Sequence, residues 1–229
     1  MGAISASILG CRHTEIGESV RRAAAAGVEY IHIDVMDGDY VQNMTFGPQL
    51  VNELKEITAL PLSVHLETNR PDRIFRIFEK TGADIISFQF DTCVNPIHLI
   101  NEIRAAGKKA GVGIGPAYSV ESVRYILPYL DYVNVMSVEP GYGGQRFEPA
   151  VYNKLRAMRS MVEKEGLPVS LCVDGGVNAE NAPRLLAAGA DILICGSSVF
   201  RAGEIERNVH KLLEQVKPNR KREKEEELP

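Results

Sequence analysis

Short runs of aliphatic and β-branched residues alternate along this chain with amphipathic stretches of helical period. The runs predict strands at Ile4–Leu9, Tyr30–Asp37, Leu62–Glu67, Asp84–Phe90, Ala110–Ile114, Tyr132–Val138, Val169–Asp174 and Asp191–Cys195. Between and after them, helices are predicted at Glu15–Ala26, Pro48–Glu56, Pro71–Lys80, Pro96–Ala106, Ser119–Leu127, Pro149–Glu165, Ala179–Ala188 and Glu204–Gln215. Proline at several helix starts, and glycine at positions 27, 82, 107, 166 and 189 just past helix ends, supply the expected punctuation. Strands separated by single helices pair in parallel through right-handed crossovers. Eight such units are the count of a closed barrel. A doubly wound open sheet usually carries Gly-x-Gly-x-x-Gly after its first strand, whereas this one continues Ser7-Ile8-Leu9-Gly10-Cys11. The expectation is therefore an α/β protein, one (β/α)₈ TIM barrel over residues 1–216, with a charged, solvated tail over 217–229.

Composition narrows the class. With 229 residues, 45% of them hydrophobic and 24% charged, the chain has an ordinary globular make-up and enough apolar surface for one large core. A net charge of −4 with no basic stripe argues against a nucleic-acid partner. In the tail Lys217–Pro229 the basic cluster is nearly cancelled by the glutamates that follow. No secretory leader is expected at the N-terminus, and Gly2 is followed by Ser5 where myristoylation would need a hydroxyl at position 6. No apolar run approaches membrane-spanning length. Cys11, Cys93, Cys172 and Cys195 show no C-x-x-C spacing and lie in or beside apolar strands, which predicts reduced thiols in a cytoplasmic protein.

The strands themselves carry the chemistry. Period-two alternation sends His32, Asp34 and Met36 to one face of the second strand and Ile31, Ile33 and Val35 to the other. The third strand repeats this with His65 and Glu67, and the seventh ends Asp174-Gly175-Gly176. In a barrel, chemistry gathers at the C-terminal strand ends, so Ser7, His32, Asp34, His65, Glu67, Gln89, Met136 and Asp174 are expected at one mouth. Two histidines and two aspartates suit one divalent metal such as Zn²⁺, Mn²⁺ or Fe²⁺; a buried hydrogen-bonded network accounts for them equally well. The remaining histidines, His13, His98 and His210, are expected in surface or capping roles, and Asp37 as a turn former. Turns at Gly141-Tyr142-Gly143-Gly144, Gly175-Gly176 and Gly196-Ser197-Ser198 follow consecutive strands and suit a phosphate. Two aspartates on different strands, a metal and a phosphate anchor fit the removal of a proton next to a ketone and its return on the opposite face, which inverts the carbon.

These residues resemble the ribulose-phosphate 3-epimerase family. The matching stretches are Ser7-Ile8-Leu9, His32–Gly38, Asn43–Gly47, Val64-His65-Leu66, Val135–Phe147, Val173–Gly176 and Gly196–Phe200, in family order. The resemblance implies a metal-dependent (β/α)₈ isomerase acting on a phosphorylated ketose. His32, Asp34, His65 and Asp174 would be the metal ligands, with Asp34 and Asp174 also the acid/base pair. It implies substrate contacts at Ser7 and His65, and phosphate contacts at Gly141, Gly143, Gly144, Gly175, Gly176, Gly196 and Ser197. Met36 and Met136 would line the intermediate's surroundings. Family members commonly form homo-oligomers, so one is expected here. Three departures stand out: Glu67 where His-Leu-Met is usual, Gln89-Phe90-Asp91 where His-x-Glu is usual, and Gly115 where a polar residue before the proline is usual. Glu67, Gln89 and the two methionines are therefore candidate specificity residues. The expected pair is D-ribulose 5-phosphate and D-xylulose 5-phosphate; the alternatives are another ketose phosphate such as D-allulose 6-phosphate, or an inactive sugar-phosphate binder. A related lyase would need Asp-x-Lys-x-x-Asp, which the sequence lacks.

Overall fold

A computed structural model describes residues 2–216; the predicted tail at 217–229 lies outside the described residues. Eight parallel strands close into a barrel in sequence order: β1 (Ala3–Ser7), β2 (Tyr30–Met36), β3 (Leu62–Glu67), β4 (Ile85–Gln89), β5 (Lys109–Ile114), β6 (Tyr132–Met136), β7 (Ser170–Asp174) and β8 (Ile192–Cys195). The helices are α1 (Ile16–Ala26), α2 (Pro48–Ile57), α3 (Pro71–Phe78), α4 (Pro96–Ala105), α5 (Val151–Lys164), α6 (Ala182–Ala187), α7 (Ser197–Phe200) and α8 (Ile205–Val216).

Strand alternation sorts the barrel into two environments. Ile31, Ile33, Leu62, Val64, Leu66, Ile86 and Phe88 join helix residues such as Val20, Val51, Leu54, Phe75 and Leu99 in one continuous apolar core. The other face is polar yet buried: Ser5, Ser7, His32, Asp34, Ser63, His65, Glu67, Ser87, Gln89 and Asn134 all sit inside. Polar groups withdrawn from water must find partners, so this inner set needs a network or a bound group to be stable.

The barrel floor is closed by a device used four times. The acid entering each even strand exchanges two hydrogen bonds with the start of the strand before it. Leu62 N donates to Asp84 Oδ2 at 2.8 Å while Asp84 N donates to the Leu62 carbonyl at 3.0 Å. Glu29 with Ile4, Asp131 with Ala110 and Asp191 with Leu171 repeat the exchange. Hydrogen bonds to charged groups are worth about 1.5–3 kcal/mol each. Asp131→Ala is accordingly expected to lower unfolding free energy in urea by about 1–3 kcal/mol, and Asp131→Asn, which keeps an acceptor, by less.

Two expectations are corrected and one unpredicted element is added. The helix predicted over Ser119–Leu127 is a pair of 3₁₀ turns, Val120–Val123 and Leu127–Tyr129. Ser119 opens the first by accepting from Glu121 N, and Pro128, lacking an N–H, bars an α-helical continuation. The helix predicted from Ala179 begins only at Ala182, because the Asn178 side chain accepts from the Glu180 and Asn181 amides and holds them in a turn. Beyond β8 the chain forms α7, a short helix that no apolar period announces.

Candidate active site

Register sets the catalytic end. Asp34 pairs with His65 and Met36 with Glu67 across β2 and β3; Met136 pairs with Asp174 across β6 and β7. His32 Nε2 lies 2.9 Å from Asp34 Oδ1 and 3.5 Å from Asp174 Oδ2, and His65 Nδ1 lies 3.4 Å from Asp34 Oδ1. One donor atom from each of these four residues lies within 4.8 Å of the others. Two imidazoles and two carboxylates converging so closely suit a divalent ion. His65 Nδ1 is buried, faces these carboxylates and makes no hydrogen bond, as a nitrogen awaiting a cation would.

Neighbouring groups hold the acids in place. Ser7 Oγ donates to Asp34 Oδ2 at 2.9 Å, and Thr45, from the loop after β2, donates to the Asp34 carbonyl and accepts from Met36 N. Ser137 Oγ donates to the Asp174 carbonyl at 2.7 Å, and Asn134 Nδ2 donates to Asp174 Oδ2 at 3.3 Å. Asp37 is the expected turn former: its Oδ1 accepts from the Asp39 and Tyr40 amides, and its Oδ2 from Asn69 N. Asn134 was not among the predicted residues. Its signal is a carboxamide breaking the apolar run of β6, in phase with Met136. Thr45 and Ser137 lie in loops, and only tertiary structure brings them to the strand ends.

The carboxyls are driven apart. Burial pushes Asp34 up, but His32 and then His65 more than offset this and hold it well below the usual carboxylate range. Burial and the adjacent Asp34 charge raise Asp174. Burial, followed by the Asp34 and Asp174 charges, pushes Glu67 well above its ordinary value. His32 is lowered by burial yet raised on balance by Asp34 and Asp174. Asp34 is thus held ionised, while Asp174 and Glu67 take up a proton more readily than ordinary carboxyls.

A cavity open to solvent joins this cluster to the glycine turns. Ser7, Asp34, Glu67, Met136 and Asp174 line one part, and Gly141, Gly143, Gly144, Gly175, Gly176, Gly196 and Ser197 line the rest. The backbone N–H groups of Gly144, Gly176 and Ser197 donate to no other group among the described residues. Free backbone donors around a cavity suit an anion. Gly10 packs the β1 loop against this cradle: a Cβ there would lie 2.5 Å from the Gly196 carbonyl carbon and 2.8 Å from Ser197 N. His32, His65, Met36 and Gln89 are buried and do not line the cavity.

Fold and site define a (β/α)₈ protein whose strand ends join a metal-type donor set to an anion cradle through one cavity. Comparison with known proteins makes this specific. Residues 3–200 match the model of the ribulose-phosphate 3 epimerase family, and the chain belongs to that family of isomerases. Ribulose-phosphate 3-epimerase of Synechocystis sp. is 40% identical over 202 residues, 87% of each chain. The chloroplastic ribulose-5-phosphate-3-epimerase of Arabidopsis thaliana is 41% identical over 87% of this chain and 72% of its own length. The ribulose-phosphate 3-epimerase of Bacillus subtilis is 39% identical over 86% of this chain and 91% of its own. Among solved structures, a 3-hexulose-6-phosphate synthase superposes with a TM-score of 0.67 over 93% of this chain and 98% of its own. At 13% identity that likeness shows the fold alone. No helix among the described residues is long and apolar enough to cross a membrane.

Proposed function

We propose that this protein is a metal-dependent ketose-phosphate 3-epimerase that interconverts D-ribulose 5-phosphate and D-xylulose 5-phosphate. The observation that carries this reading is the single cavity with paired aspartates at one end and unpaired backbone N–H groups at the other. A phosphorylated ketose seated there has its phosphate among Gly144, Gly176 and Ser197 and its carbonyl end beside Asp34 and Asp174.

The chain's own groups then move the protons. Ionised Asp34 takes the proton from C3, next to the C2 carbonyl, and the C3–H electron pair becomes the enediolate. Protonated Asp174 returns a proton to C3 from the opposite face, which inverts that carbon and leaves Asp174 ionised. The reverse reaction exchanges the two roles. Ser7 holds the Asp34 carboxylate in position, and Asn134 does the same for Asp174. A divalent ion held by His32, Asp34, His65 and Asp174 would supply the positive charge that stabilises the negative oxygen of the enediolate. Three buried cysteines and one half-buried, all free, support the cytoplasm as its place of work.

One observation favours a second substrate. Glu67 is 3% exposed, lines the cavity and carries an Oε2 with no hydrogen-bond partner. A further sugar hydroxyl would satisfy it, as in a six-carbon ketose phosphate such as D-allulose 6-phosphate. Steady-state assays of both sugars with the metal-loaded protein decide the matter. The expected result is the higher kcat/KM for D-ribulose 5-phosphate; preference for the six-carbon sugar would move the substrate, and turnover of neither would overturn the proposal. Gly10→Ala, which presses a methyl group onto the Gly196–Ser197 backbone, is expected to raise KM about tenfold, a cost of about 1.4 kcal/mol in binding, with a smaller change in kcat.

A further inference from the structure

The cluster leaves one nitrogen of His65 unexplained. Nδ1 faces Asp34 and Glu67, whose nearest oxygens lie 3.4 and 3.8 Å away. Nε2 points to the other side, where it meets the Gln89 amide at 3.3 Å. Gln89, at the end of β4, is 0% exposed and lies off the cavity, so it has no direct access to a substrate there. It is also one of the positions at which this chain departs from the usual family pattern.

A neutral imidazole has one lone pair to give a cation and one N–H that needs an acceptor. If Nδ1 gives the lone pair, the proton sits on Nε2, inside a fully buried part of the barrel. Among the described residues, Gln89 is the hydrogen-bonding partner recorded at that nitrogen, and its own Oε1 is buried with no partner. A primary amide exchanges its two ends by a half-turn about its last bond. With Oε1 turned to Nε2–H, the free acceptor and the stranded donor satisfy each other. Gly113, opposite Gln89 in register, leaves the space: a Cβ there would lie 2.7 Å from His65 Nε2 and 3.1 Å from Gln89 Oε1.

We propose that Gln89 is a positioning residue whose amide oxygen accepts the His65 Nε2 proton, fixing the ring in the tautomer that presents Nδ1 to the divalent cation. This rests on the metal reading of the site. Partners behind a ligating histidine typically change metal affinity by about 10–100-fold when removed.

The test uses the full chain with Zn²⁺ as the probe. Dissociation constants come from competition with a chromogenic chelator, and the His65 tautomer comes from long-range ¹H–¹⁵N NMR of the loaded wild-type protein. The expected results are a wild-type ring protonated at Nε2, a Gln89→Leu protein that binds Zn²⁺ about 10–100-fold more weakly, and Gln89→Glu restoring near-wild-type affinity. Unchanged affinity in Gln89→Leu, or a loaded wild-type ring carrying its proton on Nδ1, would overturn the role of Gln89 while leaving the epimerase reading intact. A wild-type protein that binds no Zn²⁺ would overturn this inference together with the metal site itself. The NMR measurement needs no variant, so a misfolded substitution leaves the question decidable.

Discussion

Replacing Asp174 with Asn is expected to lower kcat by about 10²–10⁴-fold, the usual worth of a positioned acid or base. Asparagine keeps the shape and one oxygen but has no proton of suitable acidity to exchange. The informative readout is which sugar still loses its C3 hydrogen to solvent. Asp34 and Asp174 rise from β2 and β7, and each is held by its own partner, Ser7 for one and Asn134 for the other. If the substrate sits between them as proposed, each aspartate reaches C3 from one side only. Asp174→Asn, measured at a metal concentration that keeps it loaded, should therefore retain residual exchange from one epimer, and Asp34→Asn from the other. Equal residual exchange from both epimers in either variant would mean that one group serves both faces.

Removing the divalent ion is the second large effect. Chelation takes away the charge that stabilises the enediolate, several kcal/mol, so turnover should fall at least about a hundredfold. Re-addition should restore it. Stability should fall as well, because stripping the ion leaves Asp34, Asp174 and two imidazoles buried together without a counter-charge. An ion present at a hundred times its dissociation constant stabilises the fold by about 2.7 kcal/mol. For a chain of this size that corresponds to a melting temperature raised by roughly 5–11 °C. A chelated protein that melts at the same temperature and turns over normally would show that the four donors form only a hydrogen-bonded network.

The barrel was legible in the sequence because its signals are local. A buried parallel strand is short and β-branched, and a glycine or proline marks each helix end, so the period alone separates Val64 and Leu66 from His65 and Glu67. The 3₁₀ turns around Pro128 were not legible: Ser119–Leu127 has helical spacing, and the outcome depends on a capping hydroxyl and a missing N–H. The four-residue cluster was visible once the strands were known to converge, since phase then puts His32, Asp34, His65 and Asp174 inside one mouth. What lies one layer out was hidden. Thr45 and Ser137 act through contacts that close loops onto strands, and Gln89 was visible as a departure but not as a neighbour of His65. Asn134 had a signal in its strand phase, but its Asp174 partner lies 40 residues away in the chain.

Two-base epimerisation at C3 is tested most directly by proton NMR in D₂O. Metal-loaded protein is mixed with D-ribulose 5-phosphate, and the C3 hydrogen is followed as product forms. The prediction is that the D-xylulose 5-phosphate carries deuterium at C3, because the proton returned on the second face comes from a group equilibrated with solvent. Product that keeps its original C3 hydrogen, or metal-bound protein that exchanges no ketose phosphate at C3, would contradict it.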